Sequence, residues 1–257
     1  MNVKLIAHTA LSDEFIAEIY AATDGVISPP ENDRAAVALT AIRTCYSPLK
    51  PTEVIAQEGA KYFGTAASDG GSGTDADRLF RHIFRSKHTS TLEHITYTFA
   101  VEGVSRSLLA QLTRHRIGFS FSVQSQRYVK FGSDDKSGGF DYVTPPSLNG
   151  KTRALQPWGV EHAIDEYEDA MRKLQYVYDR LREAGVPAED ARYVLPNAAV
   201  CNIVMTVNLR ALLEFYAKRR HGNGAQWEIA DLAETLREEV TKVDAWVAPF
   251  FGEEAAD

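Results

Sequence analysis

Residues 3–8 read VKLIAH, a run whose apolar bias predicts a strand near the start of the chain. Ser12 precedes Phe15, Ile16, Ile19 and Tyr20, which lie on one stripe of a helix, so Ser12 is expected to cap it. Asp24-Gly25 should end that helix, and Pro29-Pro30 predicts a loop. A second helix is expected over Ala35 to Cys45, and a third from Pro51, a residue suited to the first helical position. Leu79 to Ser86 also has helical spacing, whereas ITYTFAVE, Ile95 to Glu102, alternates as a half-buried strand does. From Ser105 to Arg114 the helical period returns, with Leu108, Leu109 and Leu112 on one side as core residues. That helix would present Arg114-His115-Arg116 at its C-terminal end, where the dipole favours cations.

Gly132 to Gly150 reads as loop. Gly159 to Ala184 predicts a long amphipathic helix ended by Gly185, and Pro187 opens a shorter one through Tyr193. VCNIVMTV is rich in β-branched residues and is compatible with a strand or a buried helix. Asn208 is placed to cap a helix through Arg220, broken by Gly222 and Gly224. A last helix is expected from about Ala225 to Val247, followed by a frayed acidic tail. The pattern has no internal repeat and lacks the βαβ rhythm of a doubly wound sheet, so an α+β protein is expected.

Composition narrows this picture. A chain of 257 residues, 44% apolar and 25% charged, builds a substantial core in one large domain, or in one domain with a smaller partner. MNVKLIAHTALSDEF has no basic region followed by an apolar run, and no stretch has 18 uninterrupted apolar residues, which disfavours secretion and membrane spanning. Cys45 and Cys201 are far apart, fit a reducing cytoplasm, and are expected to be buried, inert thiols. Gly64 to Asp77, GTAASDGGSGTDAD, reads as an exposed, mobile loop without the Lys-Ser or Lys-Thr of a phosphate-binding P-loop. His88 and His94 have a five-residue gap that does not suit two metal ligands on one helical face, so no metal site is expected.

Charge is where the chain departs from a generic globular protein. Between Gly103 and Ser133 there is no Asp or Glu, while Arg106, Arg114, His115, Arg116, Arg127 and Lys130 all fall there in a chain of net charge −7. A basic island in an acidic protein points to a local anionic ligand, and Ser120, Ser122, Gln124, Ser125 and Gln126 add hydrogen-bonding groups to it. Phe119, Phe121 and Tyr128 are expected to pack, and a nucleic-acid module built on these aromatics is opposed by the acidic net charge. Three further segments share this polar and basic character: KHTSTLEH (Lys87 to His94), ARYVLP (Ala191 to Pro196), and Asn208 to Glu228.

RHR followed by a serine-rich run and SQRY, preceded by HTSTLEH and followed by ARYVLP and AQWEI, resembles the flavin-dependent thymidylate synthase family. The resemblance runs from roughly Val3 through Ile229. It implies a mixed helix and antiparallel sheet core with a helical subdomain, as a single domain over residues 1–257 with an insertion at 64–77. It also implies a reaction, the reductive methylation of dUMP to dTMP. Methylenetetrahydrofolate would give the carbon, FAD would carry the reducing equivalents, and NADPH would recharge the flavin. A homotetramer with active sites at subunit junctions is implied as well.

By the same resemblance His88, Ser90, Glu93, Arg114, His115, Arg116, Asn208 and Arg210 should lie on the flavin. Gln111, Ser125, Gln126, Arg127, Arg192 and either Arg219 or Arg220 should lie on dUMP, with Ser125, His88 and that last arginine carrying the catalytic duties. Two spacings depart from the family. Eight residues separate Arg116 from Ser125 where the family has seven, and Arg220 lies twelve positions after Asn208 where eleven is usual. Counting forward from Asn208 selects Arg219; counting back from AQWEI selects Arg220.

The chemistry of the residues agrees. A nucleotide monophosphate carries about −1.5 to −2 charge, and guanidinium forks match its oxygens. A cation near the flavin ring would stabilise its reduced, anionic form. Ser125 as a nucleophile would need an oriented base, so a hydrogen bond to substrate is the expected role, and neither cysteine has an activating setting. A non-catalytic sensor that binds flavin and nucleotide is the alternative.

Overall fold

The computed structural model describes residues 1–23, 32–155, 157 and 159–252. The expected helix end at Asp24-Gly25, the loop at Pro29-Pro30 and the acidic tail lie outside the described residues. In chain order the elements are β1 (Asn2–His8), α1 (Asp13–Ala22), α2 (Asp33–Tyr46), α3 (Val54–Gly64), α4 (Asp75–Arg85), β2 (Thr96–Ser105), α5 (Arg106–Leu112) and β3 (Phe119–Val123). There follow β4 (Thr152–Leu155), β5 (Gly159–His162), α6 (Ala163–Glu183), α7 (Ala188–Ala191), β6 (Val200–Asn208), α8 (Leu209–Arg219) and α9 (Trp227–Val243). The protein is thus a mixed helix and antiparallel sheet fold, with one sheet in the order β1-β2-β6-β3 and a separate β4-β5 hairpin. Among the described residues no helix is long and apolar enough to cross a membrane.

The chain divides into two compact units. The smaller holds residues 1–2, 101–114 and 121–204. Its core is built where α6 lays Met171 and Tyr178 against Phe131, Phe140, Ala191 and Ala199. Gln175 pins the loop before β4, accepting from the Phe140 amide at 2.9 Å and donating to the Phe131 carbonyl at 2.9 Å. The helix stops at Gly185, whose φ of +87° lets its amide reach the Arg182 carbonyl while Val186 reaches Leu181. Arg127 and Arg192 both belong to this unit.

The larger unit holds residues 3–100, 115–120 and 205–257. Here α2 buries Ala35, Ala36, Ala38, Leu39 and Ile42, and α9 buries Ile229, Leu232, Leu236 and Val240. Asp244 breaks the chain out of α9 with φ −133° and ψ 71°, so the expected single helix to Val247 becomes α9 and a separate 3-10 segment, Ala245–Phe251.

Several expectations are corrected. Residues 159–162 are strand: Gly159 has φ +105°, outside helical space, and pairs with Leu155. Residues 75–77 belong to α4, whose capping box joins the Thr74 hydroxyl to the Asp77 amide and the Asp77 carboxylate to the Thr74 amide. In the preceding segment Asp69 receives the Arg81 guanidinium at 3.0 Å and an Ala66–Thr74 bridge pairs its ends. α5 ends at Leu112 with Thr113 as its cap, so Arg114-His115-Arg116 lies beyond the helix. The serine-rich run FSFSV is strand β3, and of the two readings open for VCNIVMTV the strand holds, within β6. Cys201 is buried as expected, but Cys45 is exposed on α2. Tyr128 is also exposed, whereas Phe119 packs on Phe215 at 5.8 Å between ring centroids.

Candidate active site

In the larger unit Asn208 and Arg210 stand at the start of α8, where Arg210 brings in Glu93. Asn208 ends β6 and caps this helix, its side-chain oxygen accepting from the Ala211 amide at 2.8 Å. The Asn208 amide in turn donates to the Gly118 carbonyl at 3.0 Å. Gly118 has φ +74°, and a Cβ there would come within 2.6 Å of both the Asn208 side-chain nitrogen and the Ala211 methyl. Only glycine allows the turn after Arg116 to approach this helix end so closely.

Two residues beyond the cap, Arg210 reaches Glu93 at 2.7 Å and Glu214 at 3.0 Å. The two carboxylates, Glu93 first, hold its guanidinium even more firmly protonated than usual. At the far end of α8, Arg219 Nε donates to His115 Nε2 at 3.1 Å. That bond requires an unprotonated Nε2, so His115 carries its ring proton on Nδ1. The imidazole is seated edge-on against Phe215, 4.9 Å between centroids.

His88 is delivered by the end of α4. Lys87 takes φ +59°, an unusual conformation for a residue with a side chain, while its amide bonds Phe84 and the His88 amide bonds Ile83. The imidazole Nδ1 is hydrogen-bonded to the Tyr46 hydroxyl at 2.8 Å. Ser90 is exposed in the short 3-10 segment Thr89–His94. Arg116 in this unit and Arg114 in the smaller one are both exposed. No carboxylate among the described residues pairs with either.

Of the expected dUMP residues of the smaller unit, Arg127 and Arg192 meet at Glu189, next to the turn formed by Ser125. Ser125 forms the turn, its hydroxyl accepting from the Arg127 amide at 3.2 Å, and Gln126 points inward and is buried. Arg127 is held by Glu189 at 2.6 Å, and its guanidinium carbon lies 5.4 Å from the Tyr128 ring centre. Arg192 follows α7 in a 3-10 segment and bonds the Glu189 carbonyl through Nε at 2.9 Å. Gln111 sits on α5, its side-chain nitrogen bonded to the Ser107 carbonyl at 3.4 Å. Arg220, the C-cap of α8, belongs with Arg219 to the larger unit.

The structure therefore joins His115 to Arg219, Glu93 to Arg210, and Arg127 and Arg192 to one residue, Glu189, the first through its carboxylate and the second through its backbone carbonyl. Tyr46, Glu189 and Glu214 are contacts that sequence reasoning passed over, because each is an ordinary residue in an ordinary helical context until its partner is known.

The family described as thymidylate synthase complementing protein matches residues 27–246. A flavin-dependent thymidylate synthase of Geobacter sulfurreducens is 40% identical over 204 residues, covering 79% of this chain and 75% of the relative. The chain belongs to the flavin-dependent thymidylate synthase family. Another member of this family, from Clostridium tetani, is 37% identical over 214 residues, 80% of this chain and 78% of that one. The fold is shared with ThyX of Helicobacter pylori, solved with FAD and dUMP, at a TM-score of 0.59 and 23% identity over 98% of both chains. It is also shared with the UMP/dUMP methylase PolB of Streptomyces cacaoi, bound with 5-Br dUMP, at a TM-score of 0.64 and 23% identity over 98% of this chain and 94% of that one.

Proposed function

We propose that this protein converts dUMP to dTMP by reductive methylation, with methylenetetrahydrofolate as carbon donor, FAD as redox cofactor and NADPH as reductant. The observation that carries this reading is the family match across residues 27–246, which spans every motif carrying the candidate residues. A flavin fits the donor set: Arg114 and Arg116 are exposed guanidiniums without a carboxylate partner among the described residues, suited to a pyrophosphate. Bound, the flavin supplies the redox chemistry between NADPH and the nucleotide.

The chain's own residues then bind and orient. His88, Ser90, Glu93, His115, Asn208 and Arg210 complete the flavin set, with Asn208 holding the turn at Gly118 against α8. Gln111, Ser125, Gln126, Arg127 and Arg192 take dUMP, the arginines gripping its phosphate. Ser125 serves as a hydrogen-bonding residue, since its hydroxyl is engaged by the Arg127 amide and no base contacts it among the described residues. Either Arg219, whose Nε donates to His115, or Arg220, the C-cap of α8, reaches the nucleotide as well. A homotetramer, with each site completed at a subunit junction, is part of the same reading.

Purified protein should be yellow, and should oxidise NADPH faster when dUMP is present, with dTMP appearing on chromatography. Colourless protein that stays inactive after FAD is supplied overturns the proposal. FAD and dUMP bound without dTMP from complete substrates would establish the sensor instead.

A further inference from the structure

Most acids of this chain lie outside its basic segments, yet one stands among the proposed nucleotide residues. Glu189 contacts both arginines of the smaller unit and does so in two ways. Its carboxylate accepts from Arg127 Nε at 2.6 Å, and its backbone carbonyl accepts from Arg192 Nε at 2.9 Å. A guanidinium has five N–H groups, one on Nε and four on the two η nitrogens. Both contacts use the single Nε–H, and no other carboxylate among the described residues reaches either arginine. Tyr128 adds a third restraint, lying beneath the Arg127 guanidinium at 5.4 Å.

From this arrangement we infer that Glu189 is a positioning residue for the nucleotide phosphate: its carboxylate orients Arg127 through Nε and leaves that arginine's η fork for the anion, while Arg192 rests its Nε on the Glu189 backbone carbonyl. An acid that meant only to neutralise these arginines would occupy the forks, where bidentate pairing is strongest. Holding the stems instead removes rotamer freedom before the ligand arrives, so less ordering is left to do on binding. The negative charge opposes this benefit weakly, because the Glu189 side chain is 44% exposed and its field is screened by solvent.

The inference rests on the reading of Arg127 and Arg192 as phosphate ligands, and the test separates the two. On FAD-loaded protein, dUMP affinity is measured for wild type, Arg127→Ala, Glu189→Ala, Glu189→Gln and the Glu189→Ala/Arg127→Ala double variant. Glu189→Ala should weaken dUMP about fivefold, a loss of about 1 kcal/mol. Glu189→Gln keeps an oxygen acceptor for Arg127 Nε and should bind within about twofold of wild type, a difference under ~0.5 kcal/mol. In the Arg127→Ala background the Glu189→Ala loss should largely vanish, since the coupling runs through that arginine.

Unchanged or tighter dUMP binding by Glu189→Ala overturns the role of Glu189, as does a loss that adds fully to that of Arg127→Ala. If instead Arg127→Ala binds dUMP like wild type, the phosphate-site reading itself has failed. Should Glu189→Ala not fold, Glu189→Asp carries the test: it keeps the charge and shortens the reach, and wild-type affinity in it would sink the positioning role.

Discussion

Arg34 meets Asp244 at 2.6 Å, and Arg127 meets Glu189 at the same distance, but the two pairs serve opposite ends. Asp244 is fully buried, and every approach to its carboxylate is taken: Arg34, the Tyr97 hydroxyl at 2.7 Å, Asn32 at 2.6 Å and the Trp246 indole at 3.1 Å. Arg34 is saturated too, donating to the Thr9 and Val243 carbonyls and to His8. Burial, and then the Asp244 charge, push the Tyr97 hydroxyl far above its ordinary range, so it stays a donor. Around Arg127 the same ion pair is more than half exposed on the arginine side and engages only Nε. A contact distance therefore does not say what a pair is for. The number of unspent donors and the access of water do.

Removing one partner of the buried pair should have the largest effect. Asp244→Ala leaves Arg34 uncompensated in the core and should cost about 3–5 kcal/mol in urea unfolding. A cost below about 1 kcal/mol would erase the contrast, because that is what an exposed pair is worth.

The site arginines should behave the other way round. Arg192→Ala should weaken dUMP by about 1.5–3 kcal/mol, roughly 10- to 150-fold, with FAD retained. Its unfolding free energy should stay within about 0.5 kcal/mol of wild type. Loss of flavin with unchanged dUMP affinity would contradict its assignment. Arg219→Ala and Arg220→Ala should differ, one damaging dUMP binding much more than the other, and equal small effects would remove both from the substrate site.

The smallest effect concerns a third pair, intermediate in burial. Asp75 accepts the Arg78 guanidinium and the Ser68 hydroxyl, and the first of these holds its carboxyl well below the usual range. The folded state then binds fewer protons here than the unfolded chain. The stability this contributes is full at neutral pH and is lost as pH falls below about 4 toward the folded value. Asp75→Asn should accordingly be less stable than wild type at pH 7, and the gap should narrow at pH 3. A gap that persists unchanged would mean the carboxylate charge is not what Arg78 recognises.

Much of this protein is local enough to read from its order of residues. Ser12 and Asn208 cap the helices that their side chains suggest, and Gly185 ends α6, because a cap concerns only three or four neighbouring amides. The four basic segments could likewise be singled out, since charge and its absence need no partner to be seen. FSFSV alternates apolar and polar residues as a strand does, but its place in the sheet could not be read from the sequence, because its partner β6 comes some eighty residues later.

Within the site, what sequence determined was the inventory: which arginines, which histidines, which serines. Tertiary structure decided their state. Arg210 is engaged by two carboxylates, Arg219 is anchored to a neutral ring nitrogen, and Arg127 and Arg192 are steadied by one glutamate. Each partner lies on another segment or turn, and whether an ion pair leaves donors free depends on geometry at the scale of one bond, which no spacing along a chain encodes.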